Sequence, residues 1–563
     1  MMMNVRNKPY RGTLMTLAFV AAGVMATPAT AAPDPTKLVI GQLQFVPNSH
    51  PLIQVNNTKL FLMGFIQRPI TAYDARGQSV CLLCETKPSL ENGLAKIVDL
   101  PGGKKGMQVT LKLRADAKWG DGTPVSAQDI AFTWKMANDG AAGFSNYNPW
   151  TRATKVDITN PKTVVLHLDA VESGYDSWDQ VLPAHIEGPI YAKHRSAEEY
   201  IKQSAYNREP TTPGLWNGAY TVTSIQMGAQ ITMAPNKFWP VAPQIKSIIL
   251  SYRSNAAALV QNLLSGDLDA LPVSPGGISF AQMLTLRKQQ AARFDFPVQA
   301  GYNLERLVFQ TKNPALADAR VRRAIAFAIN REAISTQLFE KLQPVATSIL
   351  SENSSNYSDA VPRYKFDPAR AKAILTEAGW KPGADGVCVN PAGQKLSVEL
   401  LTTAGNQTRV QIAQVIQSQL KSVCVDVAVK QAQIGVYNGE EMRKRNFTGI
   451  GLSSIQFPPS TSPEIYLGTS GIPTEKNGYT GNNFAGYSSP AMDAAVAEAE
   501  KALQPAAARA AWAKVQQIAM EDLPILPLYY YASSWVVPKG MTGLDVPRYD
   551  QPTNWAEYWK RAP

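Results

Sequence analysis

Residues 109–137 read VTLKLRADAKWGDGTPVSAQDIAFTWKMA. Val109, Leu111 and Leu113 alternate with Thr110, Lys112 and Arg114, the period of two that marks a strand with one buried face. Asp121-Gly122 supplies a turn. Ser126 and Asp129 have the spacing of a capping box, and Ile130 and Trp134 carry an apolar stripe into a helix. Strand, turn and capped helix in immediate succession predict an α/β unit. Each residue has a structural reason to be there: Trp119 reads as a core anchor, and Asp121 and Asp129 as turn and cap residues rather than catalytic acids.

The same grammar recurs downstream. DARVRRAIAFAINREAI places Val321, Ala324, Ile325, Ala328 and Ile329 at helical spacing, with Arg322 and Arg323 on the other face and Asn330 as the next N-cap. FDPARAKAILTEAGW has Asp367 at an N-cap, Pro368 at the first helical position and Gly379 at the C-terminal end. SSPAMDAAVAEAEKAL repeats the Ser-Pro start. Strand candidates such as KLSVELLT and DVAVKQ lie between these helices. Alternating helices and strands predict an α/β chain with mixed sheets flanked by helices.

At 563 residues, the chain is too long for one small core, and 45% hydrophobic with 18% charged residues is a globular composition. The N-terminus sets the expected compartment. Arg6, Lys8 and Arg11 precede an apolar run from Leu14 to Met25, and Ala29-Thr30-Ala31 follows, so residues 1–31 read as a signal peptide cut after Ala31. Cleavage would lower the net charge from +11 to +8, because residues 1–31 hold those three cations and no acid. The first cysteine is Cys81, which predicts a periplasmic protein without a lipid anchor. The cations are scattered, and Arg443-Lys444-Arg445 lacks interleaved aromatics, so no nucleic-acid partner is expected.

Four cysteines fit an oxidising compartment. Cys388 and Cys424 bracket a strand–helix–strand segment and are expected to pair. Cys81 and Cys84, in VCLLCE, read as a structural bridge or as two buried thiols. Catalysis finds little purchase. The histidines are His50, His167, His185 and His194, with no H-E-x-x-H, no G-x-S-x-G and no P-loop, although the sequence leaves paired carboxylates open. No cofactor is expected, and binding is favoured over catalysis.

Five blocks together resemble one family, the periplasmic solute-binding proteins of peptide-type ABC importers, whose members include oligopeptide, dipeptide, haem and nickel binders. LKLRADAKWGDGTPVSAQDI is similar to the family signature. It is followed in the expected order by LWNGAYTVTSIQMGAQITMAPNKFW, ALVQNLLSGDLDAL, LVFQTKNPALADARVRRAIAFAINRE and LPILPLYYYASSWVV. The resemblance implies a two-lobed periplasmic-binding-protein fold of type II character with a two-strand hinge. Residues 32–300 would form an enlarged first lobe, with an inserted subdomain at about 61–188. Residues 303–517 would form the second lobe, and 520–563 would return to the first. The hinge is expected near 299–302 and 523–527. The implied function is capture of a peptide or peptide-like solute by a monomer that delivers it to a membrane permease. The readings held against it are a binder of a metallophore or haem, and a secreted hydrolase.

The resemblance also implies where ligand sits. Trp216, Asn217 and Tyr302 would face Gln456, Phe457, Asn477, Tyr479, Asn482, Asn483 and Phe484 across the closed cleft. Peptide binders of the family commonly carry an acid that pairs with the ligand α-amine. Gln456-Phe457 occupies that place here, with Glu464 as the nearest acid downstream, so charge pairing is expected to contribute little at that end of the ligand.

Overall fold

The structure, a computed structural model, describes residues 34–563 except 54, 140–143, 145–148, 274–275, 458–461, 547, 549–551 and 563. The predicted signal segment 1–31 lies outside the described residues.

The opening unit forms from the interactions its sequence encodes. Strand Lys104–Lys112 buries Met107, Val109 and Leu111 on one face, and pairs antiparallel with Ala95–Leu100 and Thr163–Leu168 in a four-stranded sheet completed by Ala153–Asn160. In the turn, the Asp121 carboxylate accepts from the Thr123 amide at 2.9 Å, and Gly122 adopts φ +92°, where a side chain would be strained. Asp129 accepts from both the amide (2.8 Å) and hydroxyl (3.3 Å) of Ser126, capping helix Ala127–Asp139. It also accepts from the Ala184 amide at 2.8 Å and from Trp119 Nε1 at 3.2 Å. One buried acid therefore fastens a helix start, a core tryptophan and the following chain. Burial holds its pKa above the usual carboxylate value.

Two further sheets build the body. The first orders Lys37–Gln42, Ser247–Tyr252, Gln230–Pro235 and Tyr220–Gln226, with only the first pair parallel. The second is mixed and runs Leu271–Val273, Ile525–Pro538, Val298–Phe309, Ile450–Gln456, Ser397–Thr403 and Asp426–Ala432, with Phe294–Asp295 also paired to Ile525–Pro538. Its last three strands are mutually parallel, with helix Gln407–Lys421 connecting two of them, as parallel neighbours require.

The apolar side chains gather into two large cores. One contains Leu38 to Tyr252 together with Trp535, Val537 and Trp559, and the other runs from Leu304 to Tyr530. A smaller cluster around Leu259, Met283 and Val536 lies beside them. Strands Val298–Phe309 and Ile525–Pro538 are the pair that passes from one core to the other. Their register slips between Ala300 and Leu304, and again between Glu305 and Arg306. The irregularities thus fall at 301–303 on one strand and at 528 and 531 on the other, the second lying slightly beyond the 523–527 stretch expected from sequence. Gly301 is required where the strands cross. A Cβ there would meet the Arg548 carbonyl at 2.5 Å.

Disulfides join Cys388 to Cys424 and Cys81 to Cys84. The first closes a separation of 36 residues and ties the short hairpin Lys381–Pro382/Cys388–Val389 to the end of helix Gln407–Lys421. In the chain-entropy account a loop of that size contributes about 3–4 kcal/mol. Cys388→Ser combined with Cys424→Ser should therefore lower the unfolding free energy by about that amount in urea titrations without reductant. A loss under about 1 kcal/mol would show that the unfolded chain is not restrained by the bridge.

Candidate functional site

Between the two cores lies a cleft of about 1490 Å³. It is walled by the start of helix Asn57–Ile66, the 177–180 segment, both crossing strands, and the 403–409 turn at the head of helix Gln407–Lys421. The volume exceeds the ~300–1,000 Å³ usual for drug-sized ligands. A smaller pocket of about 320 Å³ opens beside it and shares Asn57, Asn303, Ser454 and Gln456 with the main cleft.

The polar lining falls into two groups. Some side chains are already engaged within the wall. Glu305, which is 0% exposed, receives Arg409 through two bonds, Nε to Oε1 at 2.7 Å and Nη2 to Oε2 at 3.0 Å, and the Tyr531 hydroxyl at 2.6 Å. Arg152 donates to the Gly174 carbonyl at 2.7 Å and its guanidinium stacks 4.9 Å from the Trp178 ring. These groups hold the two walls in shape.

Others lack a partner. In residues that line the cleft, the buried atoms Gln180 Oε1, Asn303 Oδ1, Gln343 Oε1 and Ser534 Oγ make no hydrogen bond among the described residues. Asp179 is partly buried in the wall, its carboxylate held only by the Gln180 amide at 2.9 Å and paired with no cation among the described residues. Burial pushes it up to about 6. Arg306 stands in the wall of the smaller pocket. Partnerless polar atoms around a wide cleft suit a ligand with many donors and acceptors, since such atoms are costly when nothing satisfies them.

Of the residues singled out from sequence, Gln456 lines both cavities, and Asn482 and Phe484 line the smaller one. The remainder lie elsewhere, each for a local reason. Trp216 is 0% exposed, donating from Nε1 to the Pro210 carbonyl at 2.9 Å and packing edge-on to Tyr206. Asn217 is buried beside it and accepts from the Arg68 amide at 2.7 Å. Tyr302 points away from the cleft and donates to the Asn353 carbonyl at 3.3 Å, while its neighbours Gly301 and Asn303 face in. Phe457 turns into a core against Tyr466, 5.0 Å between ring centres.

Asn477 closes a capping box with Thr474, and Tyr479 holds φ +56° while its carbonyl accepts from Arg443. Asn483 donates to the Gly468 and Tyr487 carbonyls at 2.9 and 2.8 Å. Glu464 accepts from the Ser470 hydroxyl and lines neither cavity. Sequence reasoning passed over Asp179, Arg306, Gln343 and Arg409. One signal was present: Glu305-Arg306 puts opposite charges side by side inside the otherwise apolar stretch LERLVF.

The histidines serve the scaffold. His50 is buried against the Tyr200 hydroxyl at 3.0 Å, and burial with nearby Lys59 holds its pKa low. His167 and His185 pair with Asp157 and Asp121 at 2.8 and 3.0 Å. Among the described residues no cluster of three or more His, Cys, Asp or Glu is placed to hold a metal, and no helix is long and apolar enough to cross a membrane.

Comparison with known proteins agrees with this architecture. The oligopeptide-binding protein AppA of Bacillus subtilis is 24% identical over 457 residues, covering 79% of each chain. An oligopeptide-binding protein from Thermus thermophilus, solved with a pentapeptide, is 25% identical with a TM-score of 0.71, covering 93% of this chain and 96% of that one. NikZ from Campylobacter jejuni, solved with Ni(L-His), shares the fold at 20% identity and a TM-score of 0.72, over 94% of this chain and all of that one (100%). The family profile described as bacterial extracellular solute-binding proteins, family 5, matches residues 103–474. The chain belongs to that family of solute-binding proteins, as its five sequence blocks had indicated.

Proposed function

We propose that the chain captures a peptide or peptide-like solute in the central cleft and delivers it to the permease of an ABC importer. It acts as a periplasmic monomer, freed of residues 1–31, and releases its ligand chemically unchanged. In this reading residues 32–300 and 520–563 form one lobe and 303–517 the other, and the slipped register of the two crossing strands supplies the bending points for closure. The observation that carries the reading is the wide cleft lined by buried amide and hydroxyl oxygens without partners. A peptide backbone offers donors and acceptors at every residue and so suits that lining. The relatives named as oligopeptide binders, one of them holding a pentapeptide, support the same reading.

Asp179 gives the test its sign. Its pKa stands at about 6 because of burial, with no charged neighbour contributing. Above that pH it presents an unpaired carboxylate to the cleft, and below it a neutral acid. For a pentapeptide with a single amine, affinity measured by calorimetry should be highest near pH 7, between the value for Asp179 and that of the peptide α-amine at about 7.7–8.0. It should then fall about tenfold per unit below about 6, as the carboxylate takes up a proton. In Asp179→Asn the profile should be flat throughout. A wild-type profile that is also flat would remove Asp179 from the site. Cleavage products after incubation would overturn the import reading in favour of a hydrolase.

A further inference from the structure

Glu305 and Arg306 are consecutive on strand Val298–Phe309, so their side chains leave opposite faces of the sheet. Glu305 is saturated by Arg409 and Tyr531. Arg306 is only 2% exposed, yet it forms no ion pair and donates no hydrogen bond among the described residues, and its Nε is buried and partnerless. Its guanidinium carbon lies 6.0 Å from the centre of the Tyr466 ring. Burial lowers its pKa only to about 10, so the group is cationic at neutral pH.

Among the described residues the small pocket that Arg306 lines contains no acid. Asn482 and Tyr466 line it too, while Asn303, Ser454 and Gln456, on the Glu305 face of the sheet, border it where it meets the main cleft. A buried cation without a counter-ion is strongly unfavourable. A binding protein can tolerate one where the ligand brings the missing charge.

We propose that the pocket around Arg306 is an anion-accepting subsite that takes a carboxylate of the bound solute. The inference rests on the solute-capture reading above and deepens it, by specifying that the ligand end near Gln456 is acidic rather than basic. A carboxylate can come from a peptide C-terminus or from an acidic side chain, and both have the same planar pair of oxygens for a guanidinium fork. At 320 Å³ the pocket accommodates one terminal residue rather than a chain running through.

Three probes separate the sources: pentaalanine, its C-terminal amide, and Ala-Ala-Glu-Ala-Ala amide. In calorimetry at pH 7.5 the wild type should bind pentaalanine at least tenfold more tightly than its amide if the terminus is read. It should prefer the glutamate peptide over alanine amide by a similar factor if a side chain is read. Arg306→Met should abolish whichever preference is found. Without ligand it should melt no lower than wild type, because an unpaired buried charge has been replaced by an apolar chain of similar length. Equal binding of all three peptides by the wild type would overturn the subsite, and so would a preference that survives in Arg306→Met or a large drop in its melting temperature.

If no peptide binds, the peptide reading fails and the subsite is judged on succinate and inorganic phosphate. Succinate raising the melting temperature of wild type but not of Arg306→Met upholds it. Stabilisation by phosphate alone, or by neither, overturns the carboxylate assignment.

Discussion

Arg409→Ala should lower the unfolding free energy by about 3–5 kcal/mol, among the largest losses expected for any single change in this protein. The reason is what stays behind. Glu305 is 0% exposed, and two of its three bonds come from Arg409, at 2.7 and 3.0 Å. Truncation leaves a buried carboxylate held only by the Tyr531 hydroxyl. The penalty therefore reflects an orphaned charge rather than the worth of the ion pair. One consequence distinguishes this account from simple loss of packing. Replacing both partners, as Glu305→Gln with Arg409→Met, should recover most of the stability, because the orphaned carboxylate is gone. Urea titrations at pH 7.5 check this. A double variant as unstable as the single one would mean that the side chains matter for shape alone. Arg409 also lines the cleft, so the same variant should weaken solute binding.

Glu557→Ala should cost a similar amount, about 3–5 kcal/mol, and its effect should begin at the C-terminus. Glu557 Oε2 lies 2.6 Å from Arg68 Nη2, and the two side chains are 5% and 0% exposed. Arg68 also donates to the Gly64 carbonyl and sits 5.0 Å above the Trp239 ring. The pair joins the end of helix Asn57–Ile66 to the 3₁₀ segment Pro552–Tyr558, 489 residues apart in sequence. Without the carboxylate the buried guanidinium pushes against its own cover, the terminal 3₁₀ segment. Limited proteolysis should then trim the C-terminus of Glu557→Ala well before any other site. Glu557→Gln, which keeps an acceptor, should lose less. Cleavage first in another region would show that the segment is anchored mainly by Trp559 and Ala556, both fully buried.

Much of the architecture was legible in one dimension because its determinants are local. The alternation of Val109, Leu111 and Leu113, the turn at Asp121-Gly122 and the cap formed by Ser126 and Asp129 depend on residues a few places apart, and all recur in the folded chain. The N-caps Asn330 and Asp367 accept from Ala333 and Arg370, as their spacing dictates. The five blocks, in their order, resembled one family, and the family profile matches residues 103–474.

The site was legible only in part, because strand alternation determines which residues share a face without saying which face meets the cleft. On strand Val298–Phe309 and at the end of strand Ile450–Gln456 the choice between neighbours turned on packing. Asn303 faces in and Tyr302 out, and Gln456 faces in and Phe457 joins a core. The decisive charges were beyond local reading altogether. Glu305 is recognised as structural only because Arg409, 104 residues away, reaches it through the fold. Arg306 is recognised as unpaired only because no acid is brought to its pocket. Sequence by itself determined the elements and their order, since those follow from short-range periodicity and capping, while the family came from the resemblance of its five blocks to a known one. Tertiary structure alone decided which charges are satisfied and which remain for a ligand, since satisfaction depends on partners that only the packing of distant segments supplies.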